Sequence, residues 1–299
     1  MKILSLSRIN IAALSFLFAA FLFSCQKENS QNTSSTATEE EVVASTEEST
    51  QAEASFDDVA DISMVAADEE DAASTSGNNG GRFFPSFHEL RSLIGDCATI
   101  TVYPNDSTYP KTITIDFGDS CLGRDGKVRK GQIVLHLTGP IRHSGTVLTI
   151  TFVNFYLNNV HLEGTKIISN LSEDHTIKFT VQVVGGKVTW PGGRGFTYES
   201  FKYKTQIKGM DTRTSLDNVF QITGQAEIEF NNGLEIKITT VDPLIKKVVC
   251  PWISDGTLKI KANAREFKLD YGFPHNGDCD NKALLTWNNG NSQRIILLP

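Results

Sequence analysis

The chain has 299 residues with 35 acidic and 28 basic side chains, and its net charge of −7 is unevenly distributed. Residues 26–81 hold fourteen acids and one base, which leaves residues 82–299 with a net charge of +4. A body of that length can bury a large core, and its charge is far from the strongly basic composition of nucleic-acid-binding domains. We therefore predict a folded body without a nucleic-acid partner.

Residues 1–24 have the features of an export signal. Lys2 and Arg8 come before an apolar run over residues 11–23, which is too short to span a bilayer comfortably. The run ends at Leu22-Phe23-Ser24-Cys25, an apolar residue and a small residue followed by cysteine. This ending resembles the lipobox of bacterial lipoproteins.

That resemblance implies that Cys25 begins the mature chain and carries acyl chains, so that the lipid bilayer is a partner. The alternative is an ordinary secretory signal with an incidental cysteine. Gln26-Lys27-Glu28 is similar to a tag in surface-exposed lipoproteins of Bacteroidota-type bacteria, although Asn29 stands where the tag usually has a second acid. We predict a protein anchored in the bacterial cell envelope, at the outer membrane, with its periplasmic or surface side left open.

Residues 25–81 are predicted to form a lipidated, acidic and disordered tether. The segment is rich in Ser, Thr, Ala and Glu, and Phe56 is its only aromatic residue, so little apolar surface can offset the entropy of ordering it. One part also fits a short amphipathic helix, because Phe56, Val59, Ile62 and Val65 recur at helical spacing. Such a helix could form transiently in a spacer or dock on the body.

An ordered domain is predicted over residues 82–299. Ser86 and Glu89 have capping-box spacing just before Leu90, Leu93 and Ile94, which predicts a helix of two turns at its start. Beyond it, apolar residues alternate with a period of two and predict strands. Gly-containing pairs between these runs predict turns, and they are Asp125-Gly126, Gly185-Gly186, Asn232-Gly233 and Asn289-Gly290.

These patterns predict an all-β fold, either an antiparallel β-sandwich or a curved sheet, that is stapled by disulfides. The body could be one unit, or two stacked sub-domains with a break near residues 185–200. Four cysteines remain after lipidation, and an even number in an oxidising compartment predicts two disulfides. Free buried thiols are the alternative.

The predicted hairpins select one pairing of these cysteines. A hairpin of residues 99–103 and 112–117 would bring Cys97 and Cys121 together at its open end. A second hairpin later in the chain, of residues 256–261 and 266–271, would do the same for another pair. The predicted disulfides are Cys97–Cys121 and Cys250–Cys279.

Residues with recognisable chemistry are few, and we predict no catalytic residue and no cofactor. Trp190 and Arg194 flank a glycine-rich loop and could stack on a sugar or bind an anion, or the indole could simply be half-buried there. Asp278 and Asp280 are weak candidates for calcium ligands. Because Lys282 follows where a calcium loop needs another oxygen, Asx side chains that shape a turn are the favoured reading.

Three stretches in the last quarter resemble uncharacterised envelope lipoproteins of Bacteroidota-type bacteria. They are Cys250–Gly256, Asp270–Gly272 and Gly277–Asp280, and the resemblance implies no activity. We therefore predict an anchored binding or structural module for a glycan or protein ligand, without catalysis. One alternative is a lipid or acyl-chain carrier, which needs an unfilled apolar concave face. The other is a glycan-acting hydrolase, which needs two acids facing across a cleft.

Overall fold

A computed structural model describes residues 38–76, 85–173, 176–212, 214 and 216–298. The predicted signal peptide and the predicted lipidation site Cys25 lie outside these residues. The described residues belong to one compact unit.

Two α-helices precede the strands in the described part of the chain: α1 (Glu39–Ser76) and α2 (His88–Ile94). The strands are β1 (Thr99–Tyr103), β2 (Lys111–Asp116), β3 (Cys121–Leu122), β4 (Val128–Leu137), β5 (Val147–Leu157), β6 (Val160–Asn170), β7 (Lys178–Thr189), β8 (Gly195–Lys208), β9 (Val219–Phe230), β10 (Glu235–Lys247), β11 (Ile253–Ala262), β12 (Arg265–Asp270), β13 (Lys282–Trp287) and β14 (Ser292–Leu297).

Within the described residues, these strands form a single antiparallel sheet. The order is β1-β2-β4-β5 and then in sequence to β14, while the short β3 pairs with β4 beside this path. The sheet curves around α1, because side chains of α1 contact strands from β2 to β14. The prediction of an antiparallel, disulfide-containing β domain is confirmed, and the sheet is curved around a helix instead of forming a sandwich.

One detail of the predicted strand pattern is wrong. Gly185-Gly186 does not end a strand: both lie inside β7, where the register shifts between Val183 and Gly186. These glycines form a bulge facing Gly164 of β6, and a Cβ on Gly164 would stand only 2.7 Å from the Cα of Gly186. Glycine is therefore needed here because the two backbones approach each other closely. The sheet is continuous through residues 185–200, where β7 is followed by its neighbour β8.

The prediction of a disordered tether is wrong for Glu39–Ser76, which forms α1. The residues that suggested an amphipathic helix, among them Phe56, Val59 and Ile62, are buried in the core beneath the sheet. A prediction of disorder from composition assumes that the acidic side chains stay in water. In this protein, buried cations of the sheet pair with them. The rest of the predicted tether, residues 25–37 and 77–81, lies outside the described residues.

The predicted helix near residue 88 is confirmed as α2, but the predicted capping box is wrong. Phe87 precedes the helix with a φ of 49°, and no side-chain cap forms there. Instead, the carboxylate of Glu69 in α1 accepts the backbone N–H groups of Glu89 and Leu90 at 3.1 and 2.8 Å. The first turn of α2 thus depends on α1 for its hydrogen bonds.

The sheet has two ends, and α1 runs from one to the other. We call the end formed by residues 190–194, 231–234, 263–264 and 288–291 the turn end. The opposite end, with longer connections that include residues 104–110, 138–146 and 248–252, we call the loop end. Glu39 at the start of α1 accepts a hydrogen bond from Trp287 Nε1 at the turn end. Asp68, in the last quarter of α1, pairs with Arg142 at the loop end.

Candidate functional site

The start of α1 is set by a local signal in the sequence. Thr38 and Glu41 form a reciprocal capping box: the Thr38 N–H donates to Glu41 Oε2 at 2.7 Å, and the Glu41 N–H donates to Thr38 Oγ1 at 3.2 Å. Three glutamates, Glu39 to Glu41, occupy the first turn, where their charge suits the helix dipole. These residues fix where the helix begins.

The middle of α1 is enclosed by the sheet. The ring of Phe56 stacks on Tyr198 of β8 with centroids 4.9 Å apart, and it meets Phe152 of β5 edge-on at 6.2 Å. Every residue from Asp58 to Ala67 is buried, so the helix has no solvent-facing side over almost three turns. A helix with so many polar residues can be enclosed in this way only if its polar groups find partners.

Those partners form what we call the helix–sheet charge network, in which carboxylates of α1 meet cations on the concave face of the sheet. Most of these side chains are almost completely buried. The carboxylates are those of Glu53, Asp57, Asp58, Asp61 and Glu70, and the cations are those of Lys111, Lys127, Arg129, Lys166, Lys202, Lys204 and Lys246.

Lys202 of β8 is central to the network. Its Nζ lies 2.8 Å from Glu53 Oε1 and 3.0 Å from Asp57 Oδ2. Burial alone would lower the pKa of Lys202, but attraction to Asp57 and Glu53 outweighs burial and raises it. Lys166 of β6 shares Asp57 at the longer distance of 3.4 Å, and there burial prevails and lowers the lysine pKa to about 8. The two close carboxylates of Glu53 and Asp57 therefore keep Lys202 charged.

Asp61 bridges two strands that are not neighbours. Its carboxylate pairs with Lys204 of β8 at 2.6 Å and with Lys246 of β10 at 2.9 Å. Burial would raise the pKa of Asp61, but the two ammonium groups outweigh it and hold the pKa well below its usual range. Lys246 also donates to the backbone carbonyl of Cys250, so this part of the network adjoins a cysteine.

Asp58 makes a corresponding contact on the same concave face, at β4. It pairs with Arg129 at 2.8 Å and with Lys127 at 3.1 Å, and Asp125 binds the same guanidinium at 2.6 Å. Despite burial, the two cations hold the pKa of Asp58 below its usual range. Arg129 lies opposite Cys121 in the β3–β4 pairing, so this part of the network also adjoins a cysteine.

Both cysteine pairs form disulfides, as predicted. The Cα atoms are 5.5 Å apart for Cys97–Cys121 and 5.7 Å apart for Cys250–Cys279. Each disulfide therefore holds the backbone next to a cation that binds α1. The sequence pattern predicts the pairing but not this connection to the helix.

The last turns of α1 are fixed at the loop end. Glu70 accepts the hydroxyl of Tyr109 at 2.5 Å and pairs with Lys111 at 3.2 Å. Asp68 pairs with the half-exposed Arg142 at 3.1 Å, yet burial raises the pKa of this aspartate. Burial also raises the pKa of Asp71. The carboxylates near this end thus gain less from their partners than Asp58 and Asp61 do.

The network determines where α1 sits more than how tightly it is held. Buried ion pairs often add little net stability, because desolvation offsets attraction, but a misplaced helix would leave several charges buried without partners. In the observed register, carboxylates of α1 meet lysines of β6, β8 and β10. The arrangement therefore contributes to structural specificity.

The carboxylate pKa values predict how stability depends on pH. Asp57, Asp58 and Asp61 have lowered pKa values, so the stability that they contribute is present above the unfolded value of about 3.9 and is lost as the pH falls below it. Asp68 and Asp71 have raised pKa values, so the stability that they cost at neutral pH is recovered as the pH falls towards that value.

We therefore expect the free energy of unfolding to rise slightly as the pH falls from neutral towards about 4 and to fall steeply below about pH 4. Urea denaturation at intervals of half a pH unit measures this profile. Replacing Asp68 by Asn should remove part of the rise and leave the acid limb in place. A stability that stays constant down to pH 3 would contradict the role assigned to the buried aspartates.

The two residues predicted to bind a ligand at the turn end make contacts within the chain. Arg194 pairs with Glu48 of α1 at 2.8 Å and donates to Ser45 at 3.0 Å. Trp190 packs on Phe196 with ring centroids 5.4 Å apart. The structure thus gives both side chains a role in holding the start of α1, and a role in ligand binding stays a prediction.

The weak calcium candidates lie in the connection between β12 and β13. Asp280 Oδ1 accepts the N–H of Lys282 at 2.8 Å, which is the Asx turn that the sequence favours. Asp278 is exposed. Across the described ranges, no group of three or more His, Cys, Asp or Glu side chains is placed to hold a metal ion.

Two grooves large enough for a ligand lie on the outer face of the sheet. Two cavities beside α1 measure only about 50 and 20 Å³. An outer groove of about 510 Å³ crosses β11, β12 and β13, and Thr257, Lys259, Lys268 and Thr286 contribute to its lining. A groove of this size can hold a small ligand, whereas the inner cavities can hold a few water molecules at most.

A second outer groove, of about 360 Å³, is acidic and is the nearest approach to the arrangement that a hydrolase needs. Glu199 and Glu227 are direct partners across β8 and β9, and Glu229 faces Glu235 across β9 and β10. Lys237 pairs with Glu227 at 2.9 Å, and both side chains are largely exposed. An open face does not exclude water from a reaction, so this groove offers little support for an enzyme.

The charge network was missed from the sequence, although a signal for it exists. In β8 the buried positions are Phe196 and Tyr198, followed by Ser200, Lys202 and Lys204. Counting by twos from Phe196 therefore places two lysines on the face that should be buried. Lysines on a buried face require acidic partners, and the acidic segment before residue 81 is the obvious source.

Comparisons with models of protein families, with curated proteins and with solved structures find no significant match for this chain. Among the described residues, no helix combines the length and the apolar character needed to cross a membrane.

Proposed function

We propose that this protein is a lipid-anchored protein of the bacterial envelope whose β domain binds a ligand on the outer face of the sheet. The observation that carries the proposal is the occupied concave face. In the described part of the chain, α1 covers that face, the two cavities beside it measure about 50 and 20 Å³, and a groove of about 510 Å³ lies on the outer face.

Two further features support export and anchoring. Disulfides form mainly in oxidising compartments, and this chain has two. The signal-like residues 1–24 and Cys25 supply the corresponding anchor in the sequence. We therefore propose that the domain lies outside the cytoplasm and that acyl chains on Cys25 anchor it to the membrane.

The outer groove fits a glycan better than an acyl chain. Lys259 and Lys268 offer ammonium groups that can donate hydrogen bonds to sugar oxygens, and Glu266, which pairs with Lys259 at 2.9 Å, offers a carboxylate that can accept them. An acyl-chain carrier would need α1 to leave the concave face and expose the buried cations of the network to a hydrocarbon chain. This argues against the carrier.

The anchor is tested by labelling cells with a radioactive fatty acid. The natural protein should be labelled and should sediment with membranes, whereas Cys25→Ala should carry no label because the lipid-accepting thiol is lost. Cys97→Ser serves as a matched control, since it removes a cysteine that forms a disulfide and should leave the label in place. Undiminished label on Cys25→Ala would refute the anchor.

The groove is tested by titrating the protein with soluble peptidoglycan fragments and with the polysaccharide of the outer membrane. We expect Lys259→Ala combined with Lys268→Ala to weaken binding at least tenfold. Lys261→Ala is the control, because this exposed lysine lies on the same face of β11 outside the groove lining. Equal binding by all three proteins, or no binding by any, would contradict the proposal.

A further inference from the structure

The position of α1 limits how far the β domain can lie from the membrane. This inference rests on the proposed lipidation of Cys25. Only thirteen residues of chain lead from Cys25 to Thr38, where the described structure begins. Thirteen residues span at most about 45 Å when fully extended. A tether that ran to residue 81 would have allowed more than four times that reach.

The start of α1 is fixed at the turn end of the sheet. Glu39 binds Trp287, and Glu40 pairs with Arg294 of β14 at 2.8 Å. From there, the 38 residues of α1 extend for about 57 Å towards the loop end. The turn end is therefore within reach of the anchored lipid, and the loop end lies farther from it by about 33 Å, the length of the ten-residue strand β11.

The side chains at the turn end suit a bilayer surface. All three tryptophans are half-buried, and two of them, Trp190 and Trp287, lie at the turn end, whereas the loop end has only Trp252. The indole ring favours the boundary between water and lipid. The arginines at this end are already paired, Arg194 with Glu48 and Arg294 with Glu40. This end therefore does not need anionic lipids for its contact with the membrane.

We infer that the turn end is the membrane-proximal face of the domain and that the loop end points away from the bilayer. The partner is the lipid surface to which Cys25 is anchored. Asn289 and Gly290 at the turn end border the larger outer groove, so that groove opens near the membrane.

The three tryptophans provide the test. Trp252 lies at the loop end, next to β11, and the ten residues of that strand separate it from the turn end by about 33 Å. The lipidated protein is reconstituted into phosphatidylcholine vesicles that carry dansyl-labelled phosphatidylethanolamine, and energy transfer from tryptophan to dansyl is measured. The variant Trp252→Phe keeps the two tryptophans of the turn end. The double variant Trp190→Phe with Trp287→Phe keeps only Trp252.

We expect the transfer efficiency of Trp252→Phe to exceed that of the double variant several-fold. Equal transfer from the two, or greater transfer from Trp252, would overturn the inference. Should the double variant fail to fold, Trp252→Phe is compared with the natural chain, and its mean efficiency per tryptophan should be higher. A flexible insertion of thirty residues after Glu28 should lower the transfer, and unchanged transfer would contradict the limit set by the short connection.

Failure of the anchor and failure of the inference give different results. If Cys25 is not lipidated, the protein does not float with the vesicles and no variant shows transfer. If Cys25 is lipidated but the domain is oriented differently, the protein floats with the vesicles and the order of the two efficiencies is lost. Flotation on a density gradient, run on the same samples, distinguishes these cases.

Discussion

Replacing Asp61 by Ala is expected to cost about 3–5 kcal/mol of unfolding free energy, which is a large part of the stability of an ordinary domain. Asp61 is buried and pairs with Lys204 and Lys246, so its loss leaves two ammonium groups beneath the sheet without their carboxylate. The cost comes mainly from these uncompensated charges and only in small part from the lost attraction. Urea denaturation followed by circular dichroism measures it.

A matched control is available on the same helix. Glu40 pairs with Arg294 at 2.8 Å, a distance similar to those of Asp61, but its side chain is 76% exposed. Glu40→Ala should therefore cost less than about 1 kcal/mol. Equal costs for the two variants would mean that burial does not govern the strength of these pairs.

A compensated variant separates charge from shape. If Asp61→Leu is combined with Lys204→Met and Lys246→Met, no charge of this group is left buried. We expect stability to return to within about 1 kcal/mol of the natural chain or to exceed it, as for other buried ion pairs that were replaced by apolar side chains. Persistent loss in the triple variant would show that the cost of Asp61→Ala comes from packing.

The strands and the disulfides could be predicted from the sequence because they depend on local information. Alternation with a period of two sets which residues of β2 and β12 face the core, and a short hairpin then brings the flanking cysteines together. Each of these decisions involves residues less than about thirty positions apart. Turns at Asn232-Gly233 and Asn289-Gly290 were likewise predicted correctly.

The helix could not be predicted in the same way, because its stability comes from distant residues. Asp57 meets Lys202 across 145 positions of sequence, and Asp61 meets Lys204 across 143. Taken alone, the segment has too little apolar surface to order itself, and composition therefore predicts disorder. Two local signals in the segment indicate a helix. Thr38 and Glu41 form a capping box at its start, and the apolar residues from Phe56 to Val65 recur at helical spacing.

The disulfides connect these two levels of the structure. The Cys97–Cys121 bond holds β3 beside Arg129, which binds Asp58, and the Cys250–Cys279 bond holds the backbone to which Lys246 donates. Removal of either disulfide should therefore weaken the contacts between the sheet and α1, and it should also make the loop that the disulfide closes more mobile.

The second large expected effect is the loss of stability on removal of the disulfides. The bonds close loops with sequence separations of 24 and 29 residues. In the chain-entropy account, each removes about 3.5 kcal/mol of conformational freedom from the unfolded state. Loss of both should thus cost about 7 kcal/mol, which is enough to unfold a domain of ordinary stability. Thermal unfolding with and without reductant measures the combined effect.

Single and double variants then identify which bond matters and why. Cys97→Ser combined with Cys121→Ser should cost about as much as either single change, since each of the three variants loses the same bond. Because Arg129 stands opposite Cys121, limited proteolysis of this variant should cut α1 sooner than it cuts β8 or β9, whose long pairings do not involve a disulfide. Cleavage that spares α1 and begins in the strands would show that the bond stabilises only its own loop.

Peptide mapping without reduction completes the test, because a peptide linking Cys97 to Cys250 or Cys279 would contradict the local pairing on which both the hairpins and the contacts with α1 depend.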